Sequence, residues 1–190
     1  MIKSELTRDN IVDFILDLFA RRGAEEYMGE SVSMSQHMEQ TAACAVADGA
    51  PDELVIAALL HDIGHFVGDF PIDALENGIN NLHEDAGAAF LKPFFPASVT
   101  EPIRLHVAAK KYLCAIDQDY IKRLSDASIE SLSVQGGPMT AAEVQDFESN
   151  PYHQAAVKAR YYDDDGKVTG LTIKPVKDYR SQIEALLISE

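Results

Sequence analysis

The run Leu54-Val55-Ile56-Ala57-Ala58-Leu59-Leu60, followed at once by His61-Asp62-Ile63-Gly64-His65, constrains this chain more than any other stretch. Uninterrupted aliphatic residues predict a segment buried on every side. A buried helix that ends by presenting His, Asp and His is costly unless those polar groups find partners. His61 and His65 stand one helical turn apart, whereas Asp62 points about 100° round from His61. Gly64 is expected to let the chain leave the helix, so that adjacent side chains converge. A bare His-Asp pair is a weak motif; His-Asp-x-Gly-His behind an aliphatic helix is much more specific.

The remainder predicts helices joined by short polar loops. Ile11, Phe14, Ile15, Leu18 and Phe19 fall at helical spacing before Gly23. Ser33 with Gln36 is a capping-box pattern opening a second helix, which Asp48-Gly49 ends, and Pro51 suits the first turn of a third reaching about Asp62. Ser98 with Glu101, and Thr140 with Glu143, are two further capping boxes. Helices are also expected near 83–92, 119–132, 152–164 and 176–188, and Gly136-Gly137-Pro138 reads as a bend. Val168–Ile173 is the one β-branched stretch. The expectation is a single all-α domain over residues 1–190.

Composition narrows the function. With 46% hydrophobic and 25% charged residues the chain has material for a core and a site within it. A net charge of -15 argues against a nucleic-acid surface, which needs a dense cationic face. It does not exclude a small anionic substrate, because salt screens distant surface charge over roughly 8 Å. Only Cys44 and Cys114 occur, which fits a reducing compartment. No apolar signal region opens the chain, and the aliphatic run is far short of the ~20 residues of a membrane span. A cytoplasmic protein with no membrane partner is expected; the sequence does not choose between a monomer and a dimer.

Further candidate ligands lie elsewhere on predicted helices. His37 sits beside Met34, Met38 and Thr41; His83 opens His-Glu-Asp-Ala-Gly; His106 lies in an apolar helix with Lys110 one turn on. Asp163 closes the helix through Arg160-Tyr161-Tyr162, with Lys167 four residues later. Singly, each of these histidines reads as an ordinary core or surface residue, and Asp163–Asp165 as a solvated loop run.

Together, His37, His61-Asp62 and Asp163 resemble the four-ligand signature of the HD superfamily, over nearly the whole chain. With His83 and His106 added, the pattern resembles the two-metal members. The resemblance implies an HD-domain helical bundle around a dinuclear centre. His37, His61, Asp62 and Asp163 would hold one metal; Asp62, His83 and His106 the other, with an open position. Asp62 would bridge the pair, as suits cations roughly 3.5–4 Å apart. Four imidazoles and two carboxylates are compatible with Fe, Mn or Zn, so the choice of iron comes from the family.

More narrowly, the chain resembles the mixed-valent di-iron HD oxygenases that cleave the C–P bond of 1-hydroxyphosphonates. Tyr27-Met28-Gly29-Glu30, seven residues before His37, matches their mobile Tyr-x-Gly-Glu segment, where the Glu reads the amine end of the substrate. The resemblance implies phosphonate contacts from His65, Lys110, Ser128, Ser131 and Arg160. It implies two iron ions (Fe2+/Fe3+) and O₂ as co-substrate. The organophosphonate would be a 1-hydroxy-2-(trimethylammonio/amino)ethylphosphonate, cleaved to phosphate and glycine betaine or glycine. The reading favours the trimethylated compound, whose quaternary ammonium wants acidic and aromatic neighbours such as Tyr27, Glu30, Asp69 and Tyr161. A related inositol-cleaving oxygenase shares the six ligand types and a Lys four residues after its late Asp, but is longer and acts on a substrate without phosphorus; the Tyr-Met-Gly-Glu segment and Lys110 favour the phosphonate branch. The competing readings are an HD-superfamily phosphohydrolase or nucleotidase and a non-catalytic sensor of metal or nucleotide.

Overall fold

In the computed structural model, residues 5–27, 29–68 and 78–189 are described. They form ten α-helices: α1 Ile11–Arg22, α2 Met34–Ala47, α3 Asp52–Leu60, α4 Gly64–Val67, α5 His83–Leu91, α6 Ala97–Ile116, α7 Asp126–Val134, α8 Ala141–Ser149, α9 His153–Asp165 and α10 Arg180–Ala185. No strand occurs among the described residues; Glu26 and Ser33 share one isolated bridge. The all-α expectation holds. No helix in that set is long and apolar enough to cross a membrane.

The aliphatic run is the axis of the bundle. Leu54 through Leu60 are all buried, because α3 has α2, α6, α9 and α10 packed around it. A helix apolar on all sides has no other stable place. The longest helix, α6, backs it with Val99 and Ile103 fully buried and packs along α5 and α9.

The ends of these helices are decided locally. Ser33 and Gln36 form the expected reciprocal box, with Ser33 N–H donating to Gln36 Oε1 at 2.9 Å, and Thr140 with Glu143 forms the second. Replacing Ser33 with alanine should cost about 1 kcal/mol, or roughly 3 °C in Tm, readable by thermal melting. Ser98 and Glu101 do not form a box. Pro96 is the cap of α6 and lies in an extended conformation, so Ser98 and Glu101 already stand inside the helix, where Glu101 pairs with Arg104 instead.

Two other expectations are corrected, and the β-branched stretch is accounted for. The predicted helix over 119–132 is broken, since Tyr120–Arg123 is a 3-10 turn and Ser125 caps α7 by accepting from Ser128 N–H. The segment 176–188 likewise splits into a 3-10 turn, Val176–Tyr179, and the short α10. Val168–Ile173 makes no strand: the Gln40 side-chain amide takes both backbone groups of Val168, donating to its carbonyl at 2.9 Å and accepting from its N–H at 2.8 Å. The bend at Gly136-Gly137 is present, both residues having positive φ.

Candidate metal centre

His61 and Asp62 lie just past the end of α3, in the turn that precedes α4. The chain therefore leaves the helix before Gly64, not at it. Gly64 has another task. A Cβ there would lie 1.8 Å from the His83 carbonyl oxygen, so the glycine lets the start of α4 touch the start of α5. That contact brings His83 beside Asp62. On the opposite side, a Cβ at Gly166 would sit 2.5 Å from Thr41 Oγ1, so the chain after α9 lies directly on α2.

Four imidazoles converge at this point, and each is oriented through Nδ1. His61 Nδ1 donates to Ala58 O at 2.8 Å, His106 Nδ1 to Ile103 O at 2.7 Å and His37 Nδ1 to Gly166 O at 2.9 Å. His83 Nδ1 lies 2.9 Å from Asn81 Oδ1, an oxygen that also accepts from the His83 N–H. Carbonyl oxygens only accept, so the proton of each ring is drawn to Nδ1 and the lone pair is left on Nε2.

Those Nε2 atoms face one another. His37 and His61 bring theirs within 3.1 Å, and so do His83 and His106. Asp62 divides its carboxylate between the two pairs. Its Oδ2 lies 3.2 Å from His61 Nε2 and 3.6 Å from His37 Nε2; its Oδ1 lies 3.2 Å from His83 Nε2 and 3.6 Å from His106 Nε2. Asp163 faces the first pair, with Oδ1 3.4 Å from His37 Nε2, while its Oδ2 accepts from Arg160 Nη1 at 2.7 Å. Asp62 Oδ2 and Asp163 Oδ1 are buried without a hydrogen-bond donor.

Lone pairs packed against lone pairs in a buried site require positive charge between them. Two buried donor groups, His37/His61/Asp62 and Asp62/His83/His106, are close enough to hold a metal ion each, so the donor set fits a metal site. Protons compete for the same place. Burial disfavours a charged His61, but the carboxylates of Asp62 and Asp163 raise it to about 9. Burial would likewise raise Asp62, yet His61 and His83 hold it well below the usual carboxylate range.

A cavity of about 40 Å³ opens on these groups. Asp62, His83, His106 and Asp163 line it together with Lys110, Ser128, Ser131, Arg160 and Lys167. Lys110 is 3% exposed and donates to Ser131 Oγ at 2.7 Å. Burial, then the charges of Arg160 and Lys167, press its ammonium down to about 7. Tyr27 and Glu30 line the same cavity. The Tyr27 ring stacks on His37 with centroids 4.0 Å apart, and Ser125 Oγ donates to Glu30 Oε1.

Not every candidate reaches the cavity. His65 lies behind His83, its ring stacked at 4.2 Å, and is held neutral first by burial and then by His83, with its pKa lowered to about 3. Arg160 lines the cavity but spends its donors on the protein: Nε on Tyr120 Oη at 3.1 Å, Nη1 on Asp163, Nη2 on Asp164 and Ser128. Tyr161 packs under Arg123 and against Tyr120 rather than on the cavity wall, and Asp69 lies outside the described residues. Conversely, Lys167 and Gln135 line the cavity without having been assigned to it. The spacing of Lys167, one turn after Asp163, was its only signal; Gln135 has none in the sequence.

The HD domain family model matches residues 28–127. The chain is 51% identical to [1-hydroxy-2-(trimethylamino)ethyl]phosphonate dioxygenase (glycine-betaine-forming) of Leisingera caerulea, over 86% of this chain and 84% of that one. It is 44% identical to hydroxymethylphosphonate dioxygenase of Gimesia maris, over 86% and 82%. An uncharacterized protein of Acanthamoeba polyphaga mimivirus is 34% identical over 90% and 78%. By the length of the family match and the extent of these likenesses, the chain belongs to the HD-domain family, alongside its phosphonate dioxygenases.

Proposed function

We propose that the chain, as one HD-type domain over residues 1–190, is a di-iron oxygenase that cleaves the C–P bond of a 1-hydroxyphosphonate. The substrate proposed is [1-hydroxy-2-(trimethylamino)ethyl]phosphonate, giving phosphate and glycine betaine, the compound and product in the name of the 51% identical relative. One observation carries the reading. Lys110 is a buried ammonium that has only the neutral Ser131 hydroxyl as a hydrogen-bond partner among the described residues, and it faces the cavity beside both donor groups. An unpaired buried cation is costly, and a phosphonate dianion is the partner it lacks.

His37, His61, Asp62 and Asp163 would hold one iron, and Asp62, His83 and His106 the other. When bound there, iron would supply Lewis acidity, as zinc also does, together with one-electron chemistry toward O₂, which redox-inert zinc does not. The protein's own groups do the rest. Lys110 and Lys167, each on a serine hydroxyl of α7, offer the phosphonate charge-assisted donors. Arg160 fixes Asp163 so that Oδ1 stays turned to the first pair, and contributes positive field in place of a direct grip. Tyr27 and Glu30 exclude water over the site. The free thiols of Cys44 and Cys114 support a reducing, cytoplasmic setting.

The test is turnover of the iron-loaded protein with each hydroxyphosphonate, following O₂ uptake and phosphate release together. Equal uptake and release is expected. Phosphate release that persists without O₂ would instead make the chain an HD phosphohydrolase. Lys110→Ala should leave metal content unchanged and weaken substrate binding by about 1.5–3 kcal/mol, roughly 10- to 150-fold, readable as a raised KM.

A further inference from the structure

Glu84 follows His83 in the first turn of α5, next to Asp85. An acid in the first turn of a helix ordinarily serves the helix dipole from the surface. Asp85 does stand at the surface, but Glu84 is turned inward and is 7% exposed. Its Oε2 is buried without a hydrogen-bond donor among the described residues, and lies 3.5 Å from His83 Nδ1. A buried acid oxygen left without a donor is costly and calls for a compensating charge.

His83 differs from the other three rings on this side. His37, His61 and His106 lean through Nδ1 on main-chain carbonyls, whose positions the backbone fixes. His83 Nδ1 meets side chains instead: Asn81 Oδ1 at 2.9 Å and, farther off, Glu84 Oε2. Asn81 Oδ1 is already shared with the His83 N–H at 3.3 Å. A neutral amide oxygen divided between two donors is a weak partner for the ring, and an acid is a strong one. A cation at His83 Nε2 would spread part of its charge over the imidazole and make Nδ1–H a stronger donor. Glu84 then has the positive partner it lacks, and the ring binds the metal better for having an acid behind it.

We infer that Glu84 is a positioning residue for the second metal position, backing His83 from Nδ1 so that a cation among Asp62, His83 and His106 is held more tightly. The inference rests on the two-metal reading above and deepens it. Glu84 is not among the residues lining the cavity and acts only through His83. The first position, which has His37 and His61 on main-chain oxygens, does not depend on it.

The experiment is anaerobic competition between the reduced, iron-loaded protein and a chromogenic Fe2+ chelator, which needs no turnover. Wild type should give up two irons per chain, and His106→Ala, which keeps the first alone, marks which is which. Glu84→Gln preserves shape and should weaken the second position about tenfold while leaving the first within about twofold. Asp85→Asn, the neighbouring acid at the surface, should change neither. In the His106→Ala background Glu84→Gln should have no effect on the iron that remains. Melting separates this role from a purely structural one: Glu84→Gln should melt no lower than wild type without metal, and lower than wild type with it. A lower Tm in both states would overturn the inference, as would equal weakening by Asp85→Asn, which would make first-turn charge the cause. Weakening of the remaining iron in the His106→Ala background would overturn it too. Two irons held equally well by wild type and Glu84→Gln sink this inference alone, and a wild type that holds one iron overturns the two-metal reading with it. A protein with two irons that takes up no O₂ with any hydroxyphosphonate sinks the oxygenase reading and leaves the competition readable.

Discussion

Replacing Asp62 with asparagine is expected to empty both metal positions at once. The reason is the division of its carboxylate, one oxygen toward His37 and His61 and the other toward His83 and His106. An amide keeps one oxygen, loses the negative charge and turns an NH₂ group toward ring nitrogens. Loss of an outer partner alone weakens a metal site about 10- to 100-fold, so loss of a shared charged donor should exceed about 100-fold at each position. On the di-iron reading proposed above, iron per chain, measured by plasma mass spectrometry after desalting, should fall from two to near none, and O₂ uptake with it. His106→Ala serves as the contrast, because His106 faces Asp62 Oδ1 only, and should retain one iron. An Asp62→Asn protein that still holds one iron would mean the carboxylate serves a single position.

Gly64→Ala should be the most damaging single methyl group in the chain. Its Cβ would begin 1.8 Å from the His83 carbonyl oxygen and 2.7 Å from the carbonyl carbon, where ordinary contact starts at 3.4 Å. The obstacle is backbone, which cannot rotate aside, so α4 and α5 must separate. Overpacking of this kind costs about 3 kcal/mol, or roughly 10 °C in Tm for a chain of this size. His83 moves with its carbonyl, so the second metal position should be lost while His37 and His61 keep theirs. His83→Ala separates the two effects, since it should lose the same metal with little change in Tm. A Gly64→Ala protein with two metals and an unaltered Tm would show that the contact is not tight in solution.

Gly64 also marks where the sequence ceased to be legible. As a helix breaker it had an obvious reading, but the helix ends earlier, and the residue matters for a contact with a carbonyl nineteen positions away. Ser98 and Glu101 show the same limit at short range: the box pattern is intact, but Pro96 starts the helix first. Arg160 and His65 have roles in substrate binding by resemblance; Arg160 lines the cavity while bonded to Asp163, Asp164 and Tyr120, and His65 stands behind His83, positions set by how α4, α5 and α9 meet the residues around them.

What the sequence by itself determined is what short spacing controls. The aliphatic run had to be a buried helix, the Ser33 and Thr140 boxes had to start helices, and His and Asp at the end of a core helix had to find partners. The metal-binding pattern belongs here too, because a resemblance of spaced residue types needs no coordinates. Tertiary structure alone decided which lone pairs face each other, how Asp62 divides its oxygens, and that Lys167 stands between Ser128 and Glu30. These depend on helices far apart in the chain meeting within a few ångströms, and on side-chain directions that local propensity does not encode.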